Sequence, residues 1–127
     1  MAWHFVRSGV DRGSTSLTTV LLTPVFLVIA LMAFQAALWS HARTEARVLA
    51  RNSAALVARS DADPTATAGS ALRMLRADTD IRDAHVDIVV SDDLVRARIT
   101  GRAPGMIRGT SSGVDVVEAV PREGFRP

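Results

Sequence analysis

The sequence predicts an α+β protein: a single N-terminal transmembrane helix extended by an Ala/Arg-rich helix, then a short helix and a small antiparallel β-sheet. Three observations predict it. No formal charge lies between Arg12 and Arg43, and only His41 is ionisable in that interval. An alanine-rich stretch without Gly or Pro follows, and beyond Asp63-Pro64 the apolar spacing changes from helical to alternating. With 127 residues the chain allows one modest domain and excludes a two-domain enzyme.

The first elements are a basic leader, residues 1–13, and the transmembrane helix, residues 14–39. Of the 23 residues from 17 to 39, 18 are apolar. As a helix this run is about 34 Å long, against a hydrocarbon core of about 30 Å. Pro24 removes one backbone hydrogen bond and should kink the helix, a defect that the hydroxyls of Thr18, Thr19 and Thr23 are placed to relieve. Trp39-Ser40-His41 reads as the interfacial end. A secretory signal is the competing reading, and Ser40-His41-Ala42 has the small-x-small form of its cleavage site. Its apolar region runs only about 7–15 residues, too few for this stretch. Arg7 and Arg12 precede the span, whereas Arg43, Arg47, Arg51 and Arg59 follow it, so arginine count by itself puts the C-terminal side in the cytoplasm.

Residues 40–60 form the helical extension. Ala42, Ala46, Leu49, Ser53 and Leu56 suggest a narrow coiled-coil-type seam along it, with Arg43, Arg47 and Arg51 recurring beside that seam. Those arginines fit either a solvated face or contact with anionic lipid or an acidic partner. Residues 61–127 make a small α+β region. Asp63 is an N-cap candidate with Pro64 at the first helical position, and Ala68, Ala71, Leu72 and Leu75 give the short helix its apolar face. Val86, Ile88 and Val90 alternate with His85, Asp87 and Val89, Ser91-Asp92-Asp93 turns the chain, and Val95, Ala97 and Ile99 alternate with Arg96, Arg98 and Thr100. This hairpin should bring arginines of the second strand near Asp87. Residues 101–113 read as a loop, and a third strand, residues 114–120, stops at Pro121.

Charge and composition remove several functions. The sequence pI near 10.9 sits beside a net charge of only +2. All 15 basic residues are arginine, and there is no lysine, tyrosine or cysteine, so little titrates between carboxylate and guanidinium. From Ser40 onward 13 arginines face 12 acids, which is no concentrated field for nucleic acid. His4, His41 and His85 have no ligand spacing, and Asp78, Asp80, Asp83 and Asp87 lack the Gly and Glu of a calcium loop. No P-loop, dinucleotide fingerprint or nucleophile elbow occurs. The expectation is therefore no enzyme, no cofactor, no metal and no small-molecule substrate.

The junction Asp11-Arg12-Gly13-Ser14-Thr15-Ser16-Leu17 ends a polar leader in Gly just before a long apolar helix that holds Thr23-Pro24. It resembles the class III leader of type IV pilins, most closely the TadE-like family of pilus-assembly proteins. The alanine/arginine helix, the small β region and the ending Val120-Pro121-Arg122-Glu123-Gly124-Phe125-Arg126-Pro127 extend the resemblance over nearly the whole chain. It implies cleavage by a prepilin peptidase between Gly13 and Ser14 at the cytoplasmic face, a cell-membrane location with the C-terminal region outside, and pilin-like subunits as partners along the apolar helix. Type IV pilins usually carry Glu at the fifth mature position, and here that position is Thr18. A hydroxyl accepts a hydrogen bond from a neighbour's terminal ammonium without cancelling its charge. This departure favours a minor pseudopilin over a bulk filament subunit. The alternative expectation is a bitopic adaptor or sensor, unprocessed and outside any filament, acting through Arg43, Arg47 and Arg51.

Overall fold

The computed structural model describes residues 11–107 and 109–122, with side chains from Ser16 onward. The leader residues 1–10, with His4 and Arg7, and the tail residues 123–127 lie outside the described residues. Two helices precede three strands: α1, Asp11–Ser60; α2, Pro64–Asp78; β1, Arg82–Val90; β2, Leu94–Ala103; and β3, Ser112–Pro121. The protein is α+β, and among the described residues one helix is long and apolar enough to cross a membrane. Two compact units divide within α1, Met1–Phe34 and Gln35–Pro127.

In the first unit every described side chain from Ser16 to Ala30 is exposed, Leu17 at 64% and Phe26 at 65%. A helix of a water-soluble fold buries one stripe, whereas this one presents apolar residues on all sides. The helix runs through Pro24 without interruption.

The second unit is a helix-on-sheet layer. Its sheet is an antiparallel meander in the order β1-β2-β3. Cross-strand rows Val86–Ile99–Val116 and Val90–Val95–Val120 line one face. Val86, Ile99, Val116, Val95 and Val120 of these rows join one core with Ala42, Ala46, Ala50, Ala54, Val57 and Ala58 of α1 and Leu75 of α2, while Val90 at the end of β1 is exposed. Alanines recurring every four residues keep one narrow side of α1 free of bulk, so its backbone can lie close to the sheet. The expected seam is corrected in part: Ala42, Ala46 and Ser53 are buried, Leu49 is half-buried, and Leu56 is 53% exposed. A seam of period 3.5 suits a partner helix, but the partner is a sheet, and the stripe of period four faces it.

Asp63 caps α2 by accepting from Ala66 N at 2.9 Å, with Pro64 in the first turn. Thr67, Ala71 and Leu75 are its buried residues and Ala68 and Leu72 are half-buried, so Thr67 joins the expected inward face. The strands outrun their predicted limits. Gly101 belongs to β2 rather than to a loop, because a Cβ there would press on Ile81 Cγ2 and approach Arg82 O. This close approach sits at a bulge, where Arg82 pairs with Arg102 and His85 with Thr100, leaving an extra residue in β1. Asp83 takes up the bulge with φ 51°. The β2–β3 loop thus shrinks to residues 104–111, and β3 begins at Ser112.

Candidate membrane interface

The residues singled out by sequence fall into separate places. Gly13 and Ser14 lie inside the first turns of α1, so the backbone that a peptidase would read as extended is helical here. Thr18 is exposed on the apolar segment. Thr23 Oγ1 donates to Thr19 O at 2.7 Å, one position short of the Val20 carbonyl that Pro24 leaves without its usual donor. Pro24, Val25, Val28 and Ile29 border a shallow apolar depression on the helix surface.

The arginine series is not a uniform free stripe. Arg43 stands over the Trp39 ring, 5.2 Å from its centroid, within cation–π range. Arg47 Nε lies 3.4 Å from Glu118 Oε1 of β3. Glu118 shares the covered face of the sheet with Ala97, which explains a half-buried carboxylate there. Arg51 is exposed.

Near the C-terminal end of the apolar stretch, two side chains of α1 reach β3 and the loop before it. Gln35 Nε2 donates to Thr110 Oγ1 at 3.0 Å, and Trp39 Nε1 donates to Gly113 O at 3.1 Å. Both acceptors flank the end of the β2–β3 loop. Sequence reading missed Gln35 and Thr110. The available signal was the single amide in an otherwise apolar run, which needs a partner wherever water is scarce.

The opposite face of the sheet is open and mixed in charge, carrying His85, Asp87, Arg96, Arg98, Arg102 and Asp115. Arg98 stands across from Asp87 in register, as the hairpin expectation had it. Its hydrogen bonds go instead to Asp115 on β3, Nε to Oδ1 at 3.0 Å and Nη2 to Oδ2 at 2.6 Å. This fork holds the Asp115 carboxyl below its ordinary value and raises the Arg98 guanidinium. Asp87 adds a smaller Coulombic contribution to Arg98. Asp78, Asp80, Asp83 and Asp87 are all exposed, and among the described residues no three His, Asp or Glu side chains converge as metal ligands.

Comparison with protein families, with characterised proteins and with solved structures finds no match to this chain.

Proposed function

We propose that the protein is a membrane-anchored minor pseudopilin of a tight-adherence-type pilus or related secretion machine, with a structural role in assembly. One observation carries the reading: residues 16–30 form a helix whose described side chains are all exposed, in a chain whose remaining helix stripe is consumed by its own sheet. Such a surface requires lipid or other apolar helices around it. The Gly13-Ser14 junction and its resemblance to the TadE-like family supply the rest, with the N-terminus cytoplasmic and the C-terminal region outside. Thr18 in place of the usual Glu fits a subunit present in few copies.

Processing after Gly13 is the test. N-terminal sequencing of the membrane-extracted protein from cells that contain a prepilin peptidase should begin at Ser14. An intact Met1 under those conditions would refute processing. A bitopic adaptor draws less support from the geometry, because Arg43 and Arg47 already engage Trp39 and Glu118. Replacing Arg43, Arg47 and Arg51 together by Gln should leave pilus assembly almost unchanged. Loss of a captured partner in that variant, with assembly intact, would favour the adaptor.

A further inference from the structure

We propose that Met106 and Ile107, in the β2–β3 loop, form a second and shallow membrane contact by entering the interfacial layer of the bilayer that α1 crosses. The proposal rests on reading residues 17–39 as the membrane span.

Depth along the helix places the loop. Trp39 marks the interfacial end of the apolar stretch, and Gln35 lies about 6 Å further along the helix toward the hydrocarbon, four residues at about 1.5 Å each. An amide at that depth is costly unless it is hydrogen-bonded. Its partner is Thr110, whose hydroxyl accepts from Gln35 at 3.0 Å and donates to Ile107 O at 2.7 Å. Thr110 N also bonds Ile107 O at 3.1 Å, closing a turn in which Gly109 has φ 91°. Gly105 packs directly on Thr110, leaving no room for a Cβ. Two short polar links therefore tie the Ile107 backbone to the helix at the level of Gln35.

The loop tip is also exposed. Met106 is 49% and Ile107 60% exposed although both border a folded turn. Adjacent apolar side chains displayed on a loop tip gain stability in proportion to the area moved from water into an apolar layer. Arg82 and Arg102 face each other across β1 and β2 and, with loop residues, line a cavity of about 290 Å³ that also includes Asp83. Two exposed guanidinium groups on neighbouring strands repel each other and are relieved by an anion, here the phosphate of a lipid headgroup. The β1–β2 turn at Asp92 and Asp93 lies at the other end of the sheet and carries acids, which suits water.

The chain contains no cysteine, so single labelling sites are unambiguous. Nitroxide labels on Met106→Cys, Ile107→Cys, Asp92→Cys and Ala30→Cys, each in the full chain reconstituted in phosphatidylcholine–phosphatidylglycerol vesicles, report collisions with oxygen and with a water-soluble nickel chelate. Labels at Met106→Cys and Ile107→Cys should favour oxygen and read shallower than Ala30→Cys, while Asp92→Cys favours nickel. Nickel preference at both loop sites with Ala30→Cys still in lipid overturns the loop contact and leaves the span standing. Shielding of the loop labels from both colliders means that another protein copy covers the loop, which also overturns it. Nickel preference at Ala30→Cys refutes the span and the loop contact together.

Discussion

Asp115 and Arg98 show what one exposed ion pair on the open sheet face does to acid stability. The folded state holds the Asp115 carboxyl below its ordinary value, first through the hydrogen bonds from Arg98. A depressed folded value stabilises above the unfolded aspartate value, near 3.9, and that share is lost as pH falls through the folded value. The raised Arg98 value acts only at strongly alkaline pH, because its contribution is complete below the unfolded guanidinium value. Thermal melts of Asp115→Asn in detergent should therefore lie below the parent at neutral pH and converge with it in acid. A constant offset at every pH would mean that the pair does not titrate as described. Asp83 offers a backbone counterpart. With φ 51° it occupies the left-handed region at the bulge, where a β-branched residue costs about 1–3 kcal/mol and glycine fits freely. Chemical denaturation should rank Asp83→Gly near the parent and Asp83→Val below it by that amount.

At the scale of elements, the decisive contact is the alanine stripe of α1 against the sheet. Ala46, Ala50 and Ala54 are fully buried, so Ala50→Leu must displace the helix or force strained rotamers, at about 1–3 kcal/mol. The lost stability is read in urea, and an unchanged midpoint would show that the helix does not lie close to the sheet. Much of this fold was legible in advance. The Asp63-Pro64 cap, the Ser91-Asp92-Asp93 turn and the alternation of Val95, Ala97 and Ile99 are local signals, and each appears where the local chemistry puts it. What could not be read depended on contacts distant in sequence. Leu56 looked like a seam residue because apolar periodicity does not say whether a helix or a sheet will be its neighbour. Gly101 reads as the first residue of a loop because its role, leaving space for Ile81, exists only once the bulge forms. Asp115 was invisible as the partner of Arg98, since it is supplied by a third strand 17 residues away. Gln35 and Thr110 are 75 residues apart, which no spacing rule reaches.

For the whole molecule, the division between an exposed apolar helix and a compact helix-on-sheet unit predicts its behaviour in fractionation. An integral protein should stay in the membrane pellet after an alkaline carbonate wash and need detergent for extraction. Release into the supernatant would contradict a span and would reassign the exposed apolar surface to protein contacts. The second unit also closes on itself at the end opposite Trp39. Arg122 Nη2 bonds Asp61 Oδ1 at 2.8 Å, just past the end of α1, while Arg122 N donates to Asp93 O at 3.0 Å. One residue after β3 thereby ties the helix end and the β1–β2 turn together. This matters because Ala42, Ala46, Ala50, Ala54 and Ala58 repeat at a constant step. A displacement of four residues along the helix axis, about 6 Å, would lay most of the stripe back onto equivalent methyl groups. The alanine methyl groups by themselves distinguish those two positions weakly, like a ruler whose divisions carry no numerals. The scale is read by the bulkier Leu49 and Val57 and by the polar bonds along it, Gln35 and Trp39 to the third strand and its preceding loop, Arg47 to Glu118, and Asp61 to Arg122.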